Sequence, residues 1–221
     1  MDGMRVAILA GASVLVMPAQ TVPLDSPQGL KLHRVAAEAA THKGRKAVRV
    51  TEPAGATSQG EDRLAIVAGP SFQDGVIEVD VAGQPGAGAM EGARGFVGIA
   101  FRVAPDLSKY ECFYLRPTNG RADDQVRRNH SAQYVSFPEF PWPRLRKEFP
   151  EKYESYVDLV SGEWTKVKID VRGVKARLYV HGNEQPTLVV NDLKQGESKG
   201  AVALWIGPGT VAHFSTLRIG K

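Results

Sequence analysis

Trp164-Thr-Lys-Val-Lys-Ile-Asp-Val171, a pause at Arg172-Gly173, then Val174-Lys-Ala-Arg-Leu-Tyr-Val180: these residues decide the fold class. In the first run Trp164, Lys166, Lys168 and Asp170 share one face, and Thr165, Val167, Ile169 and Val171 share the other. Side chains alternate across a strand, so the run reads as a strand with one wet face and one packed face. A connection as tight as Arg172-Gly173 returns the chain on itself, which predicts an antiparallel hairpin.

The same period of two recurs outward from this hairpin. It appears at residues 47–50, 76–81, 95–101, 110–116, 201–206 and 212–219, with a short apolar run at 188–190 and another at 63–68. Leu30, Leu32 and Val35 fit a short strand, Ala36 to Ala40 a helical turn, and Gly83 to Gly95 a Gly- and Ala-rich loop. About eleven strand candidates emerge and no long helix, with 23 Gly and 14 Pro to punctuate them. Strands that alternate must bury one face, and a second sheet is the usual cover where helices are absent. The expectation is an all-β, two-sheet antiparallel jelly-roll sandwich with a long loop-rich insertion at about 117–155.

Composition agrees. The chain has 221 residues, 43% of them hydrophobic, which suits one globular domain and excludes a disordered or collagen-like chain. Cys112 is the only cysteine, so no internal disulfide can form. A net charge of +4 is small for the length, and no zinc-finger, helix-turn-helix or RNP pattern is present, so nucleic acid is not an expected partner. Arg5 precedes the apolar run 6–17, followed by Pro18-Ala19-Gln20. Residues 1–19 read as a signal peptide, too short to be a transmembrane segment, with 20–221 as a single sandwich domain in a secreted or periplasmic protein.

The insertion is chemically distinct. Residues 110–156 hold ten of the 17 aromatic side chains, together with Arg116, Arg121, Arg127, Arg128, Arg144 and Arg146. Aromatic faces stack on sugar C–H faces, and Arg or Asn side chains orient hydroxyls or a carboxylate. Arg102, Tyr114, Arg116, Asn119, Arg127 and Trp142 are therefore the candidate substrate-binding residues. The competing reading is that the aromatics cap an open end of the sandwich and the arginines only pair with nearby acids.

Glu78 and Asp80 lie two apart, on one face of a strand. Such positions are roughly 6.5–7 Å apart, compatible with the carboxyl pair of a glycosidase. Glu111 is a further candidate acid and His130 a candidate acid or base, which completes the catalytic set. His33, His42, His130, His181 and His213 show no metal-ligand spacing. No cofactor is expected. The one metal left open is a structural calcium on loop carbonyls with Asp106 or Asp192, and it has no motif behind it.

Phe72-Gln-Asp-Gly-Val-Ile-Glu-Val-Asp80, Gly95-Phe-Val-Gly-Ile-Ala-Phe-Arg102, Tyr110-Glu-Cys-Phe-Tyr-Leu-Arg116 and Gly162-Glu-Trp-Thr-Lys-Val-Lys-Ile169, leading to Leu178-Tyr-Val-His-Gly182, resemble a known group. Over about 25–220 the chain resembles the concanavalin A-like lectin/glucanase superfamily, and within it the bacterial 3-keto-disaccharide hydrolase domain. The resemblance implies a secreted jelly roll that acts on keto-sugars or binds carbohydrate. Laminarinase-type relatives carry E-x-D-x-x-E on one strand. Glu78 and Asp80 match its first two acids, but position 83 is Gly, so the usual proton donor is missing. A hydrolysing or eliminating enzyme would need Glu111 or His130 in its place, with Arg102 or Arg116 to stabilise charge. Three readings follow: a glycoside hydrolase or lyase, a non-catalytic carbohydrate-binding module, and a structural or adhesive sandwich.

Overall fold

The computed structural model describes residues 19–55, 62–69 and 71–220. The expected leader, residues 1–19, lies outside them except for Ala19. In chain order the strands are β1 (Gln20–Val22), β2 (Leu30–His33), β3 (Ala36–His42), β4 (Arg45–Thr51) and β5 (Leu64–Val67). Next come β6 (Gly75–Pro85), β7 (Val97–Val103) and β8 (Tyr110–Leu115). A 3-10 turn at Pro117–Asn119 and helix α1 (Gln125–Asn129) lead to β9 (Ala132–Phe137), and helix α2 (Trp142–Glu148) leads to β10 (Glu154–Ser155). The remaining strands are β11 (Thr165–Arg172), β12 (Lys175–Val180), β13 (Leu188–Val190), β14 (Ala201–Ile206) and β15 (Thr210–Gly220).

These strands form two sheets. One has the order β13-β12-β11-β6-β15-β4-β3, with β1 also on β15; the other has the order β10-β9-β8-β7-β14-β5-β2. Every pairing is antiparallel. This is the expected two-sheet jelly-roll sandwich.

The hairpin that decided the fold class is present, in register from Val167 opposite Val180 to Arg172 opposite Lys175. Its buried positions are Thr165, Val167, Ile169 and Val171, the face assigned to packing from the alternation. Val81, Val167 and Leu178 from one sheet meet Val97, Ile99, Phe113 and Leu115 from the other. Burying each such aliphatic or aromatic side chain stabilises the sandwich by roughly 1.5–3 kcal/mol before chain entropy is counted.

Three segments differ from expectation, the shortest being Gly83 to Pro85, which ends β6 in register with β15 instead of opening the loop. Ala36 to Ala40 is not a helical turn but the first part of β3, paired from Ala36 opposite Thr51 to His42 opposite Arg45. Lys43 (φ 47) and Gly44 (φ 76) form the tight turn that brings β4 back, and the ladder outweighs the helix preference of alanine. Within the loop-rich insertion, Ala132–Phe137 forms β9, paired along its whole length with β8. Five of its six residues are buried, so no polar and apolar faces alternate to announce a strand.

Candidate ligand-binding site

Strand alternation fixes which side of the sandwich each candidate faces. Ile99, Phe113 and Leu115 point inward, so Tyr114 and Arg116, one step beyond β8, lie toward the outer face of the seven-stranded sheet. There the insertion returns and closes a pocket of about 250 Å³. Arg94, Arg116, Arg127 and Arg146 line it, with His130 and Asn119 between them and Phe96 and Trp142 as its aromatic surfaces.

Arg116 organises the wall. Its Nη2 donates to Tyr114 Oη at 3.0 Å and to Gln133 Oε1 at 2.9 Å, and its Nη1 to the His130 carbonyl at 2.8 Å and to Glu154 Oε1 at 3.1 Å. Glu154 is supplied by β10, the edge strand beside β9. Arg146, from the last turn of α2, donates Nε to Glu154 Oε2 at 2.9 Å and Nη2 to Oε1. Arg146 also sits 4.7 Å from the ring centroid of Trp142, which opens the same helix. The i, i+4 spacing places both on one helical face.

Burial alone would raise the proton affinity of Glu154, but the hydrogen bond from Arg146 and the charges of Arg116, Arg146 and His130 overturn that and hold its carboxyl below the usual range. The hydrogen bond with Glu154 in turn raises Arg146. His130 Nε2 lies 3.7 Å from Glu154 Oε2. Burial lowers the proton affinity of the His130 imidazole against an opposing pull from Glu154, and the nearby Arg146 and Arg116 lower it further.

The remaining lining comes from short capped elements. Asp124 Oδ1 accepts from the Arg127 backbone N–H at 3.0 Å and so starts α1, which carries Arg127. Asn119, in the 3-10 turn, is 5% exposed; its Nδ2 donates to the His130 carbonyl at 3.3 Å, while its Oδ1 is buried without a partner. Arg94 and Phe96 flank Gly95, whose φ of 70 sets it against β6: a Cβ there would stand 2.7 Å from Gln84 Cα.

Five sequence candidates thus meet: Arg116, Asn119, Arg127, His130 and Trp142, with Tyr114 hydrogen-bonded behind Arg116. The other four lie elsewhere. Glu78 and Asp80 share one face, as expected, but it is the outer face of the eight-stranded sheet, where Glu78 lies opposite Lys168 and Arg218, and Asp80 accepts from Arg45 Nη1 at 2.7 Å. The packed core, about 10 Å from sheet to sheet, separates them from the pocket. Position 83 has no room for a third acid, since a Cβ on Gly83 would stand 2.3 Å from the Gly95 carbonyl oxygen.

Glu111 points inward and is fully buried, accepting from Tyr134 Oη at 2.5 Å and from the Gln195 backbone N–H at 2.9 Å; burial raises its carboxyl above the ordinary range. Arg102 sits at the bulge where β14 slips against β7, with φ 54. Its guanidinium donates to the carbonyls of Gln73, Gly173 and Gly196 and to Asp74, clamping three loops away from the pocket.

Sequence reading missed Arg94, Phe96, Arg146 and Glu154 as site residues. Arg94 and Phe96 follow a loop with no motif, and Glu154 is one acid among several beside Tyr153. Asp106 accepts from Ser108, and Asp192 from Lys152, Tyr153 and Lys194. Among the described residues no group of three or more His, Cys, Asp or Glu side chains is placed to hold a metal ion, and no helix is long and apolar enough to cross a membrane.

No family model matches the chain, and no curated protein matches it in sequence. Solved structures do match in fold. The carbohydrate binding module CBM66 from Bacillus subtilis aligns with a TM-score of 0.56 at 13% identity, over 87% of this chain and 96% of that one. A Bacillus subtilis protein of unknown function with a galectin-like fold aligns with a TM-score of 0.55 at 12% identity, over 91% and 94%. The Crh5 transglycosylase, solved in complex with NAG, aligns with a TM-score of 0.52 at 14% identity, over 94% and 85%. Likeness at these identities establishes the concanavalin A-like jelly-roll fold.

Proposed function

We propose that this protein is a non-catalytic carbohydrate-binding module that holds a sugar residue in the arginine-lined pocket. One observation carries the reading: four of the binding candidates, Arg116, Asn119, Arg127 and Trp142, converge on one cavity beside the acid–base candidate His130, and none of the three candidate carboxylates lines it. The pocket offers what a sugar needs. Trp142 is 37% exposed at its edge, guanidinium and amide groups supply fixed donors, and Asn119 Oδ1 supplies a buried acceptor for a hydroxyl. A volume of about 250 Å³ falls below the roughly 300 Å³ where drug-sized pockets begin, which suits one sugar unit rather than an oligosaccharide. The fold is shared with a carbohydrate binding module and with a transglycosylase, so it is compatible with binding or with turnover.

The enzymatic reading that follows from the resemblance to the 3-keto-disaccharide hydrolase domain rests on a different pair from the one expected. His130 and Glu154 are the acid–base groups adjoining the pocket, and Glu154 is already engaged by two arginines. Export through the leader at residues 1–19 belongs to the same proposal, since glycans of other cells are met outside the cytoplasm. Isothermal titration of the purified protein with monosaccharides and disaccharides tests the reading. A saturable one-to-one isotherm that disappears on Trp142→Ala supports it. No heat and no shift in unfolding temperature with any sugar contradicts it.

A further inference from the structure

The four pocket arginines are not equally satisfied. Arg116 and Arg146 share Glu154. Arg94 donates only to the backbone carbonyls of Glu91 and Ala93, at 2.5 and 3.1 Å. Arg127 Nε is buried without a hydrogen-bond partner. Among the described residues neither Arg94 nor Arg127 forms an ion pair with a carboxylate. Each nevertheless lines the same small cavity.

Crowding like charges around a cavity is unfavourable unless something answers them. The crowding is felt: burial and then Arg127 lower the proton affinity of Arg94, and Arg116 adds to them against an opposing pull from Glu91. Guanidinium groups stay charged at all ordinary pH, so the cavity keeps its positive potential. Glu154, the buried carboxylate beside it among the described residues, is engaged by the other two arginines. The Arg94–Arg127 side of the pocket therefore offers two guanidinium groups to an anion.

We infer that the sugar held here is acidic: a singly charged oxyanion on the ring, a uronic carboxylate or a sulfate ester, lies between Arg94 and Arg127, while Asn119 Oδ1 takes a hydroxyl. The inference rests on the sugar-binding reading and narrows it to a chemical class. Guanidinium groups match planar and tetrahedral oxyanions in two-point hydrogen bonds, so both forms of the anion suit the same pair. The neutral parent sugar would leave both charges unanswered.

The test titrates the full-length protein with galacturonate, glucuronate, galactose 6-sulfate, galactose, glucose, the methyl ester of galacturonic acid, and acetate and sulfate ions alone. The expected result is that an acidic sugar binds roughly tenfold or more tighter than its neutral parent and than the methyl ester. That preference should shrink in 1 M salt and fall away in Arg94→Gln and Arg127→Gln. The uronate and sulfate arms show which oxyanion is taken.

Neutral sugars and the ester binding as tightly as the acids would overturn the inference and leave the sugar-binding reading standing. Acetate or sulfate binding as tightly as any acidic sugar would overturn the sugar-binding reading instead. Absence of binding across the panel would overturn both. The ester comparison uses the unaltered protein, so it decides the matter even if an arginine variant folds poorly.

Discussion

Arg116 and Glu154 meet at 3.1 Å, with both side chains almost wholly buried behind the pocket wall. Removing one partner of a buried pair strands the other charge, a loss of about 3–5 kcal/mol. Glu154→Gln keeps the shape and removes the charge, so it should lower the unfolding free energy by about 3 kcal/mol at pH 7. Because Glu154 titrates below its unfolded value near 4.3, its stabilisation is complete above that pH and is lost as pH falls through the lowered value. Urea titrations of wild type and variant should therefore differ at pH 7 and converge at low pH.

Arg102 is expected to matter for stability and not for binding. Arg102→Met leaves three loop carbonyls without their donor and removes one of the two hydrogen bonds to Asp74, which keeps the Gly173 backbone N–H. The expected loss is about 3 kcal/mol, read by denaturant unfolding. Sugar affinity measured well below the melting temperature should be unchanged, because the clamp does not touch the pocket.

His213 should make the fold acid-sensitive. Its ring stacks on His42 with centroids 4.0 Å apart, and burial, then His42, then Arg49 push it down to about 4. The unfolded chain binds the proton near pH 6.5 and the folded chain does not, so stability is highest above 6.5 and falls as pH drops toward 4. Allowing for partial solvent access, the loss should be of the order of 1–2 kcal/mol. Thermal unfolding of His213→Phe across this range should show a flatter profile than wild type.

Trp142 gives the opposite pattern to Arg102. It is 37% exposed, so Trp142→Ala should change stability by less than about 1 kcal/mol. Sugar affinity should fall by at least roughly tenfold as the stacking surface is removed, enough to erase a weak isotherm. Parallel thermal unfolding and calorimetry check both halves.

The fold was legible where one face of a strand is wet. β11 and β12 alternate because their outer face meets solvent, and the hairpin could be placed from sequence alone. β9 was not, because both of its faces are covered, and β3 was not, because its alanines favour a helix until β4 pairs with them. The site was legible in part for a similar reason. Arg116, Asn119, Arg127, His130 and Trp142 crowd one compositionally odd segment, and the fold gathers them. Arg94 and Glu154 enter from loops and edges whose positions depend on tertiary closure. Glu78 and Asp80 were read correctly as sharing a face; which outer face of the sandwich that would be is a matter of topology, not of local pattern.

The most direct test of binding without turnover is to incubate the protein with native and 3-keto disaccharides and with acidic and neutral glycans, following both free ligand and products by mass spectrometry. The account predicts that one class of sugar is depleted from solution, without new products, and that depletion is lost with Trp142→Ala. Products that appear with wild type and vanish with His130→Ala would contradict it and make the pocket an active site.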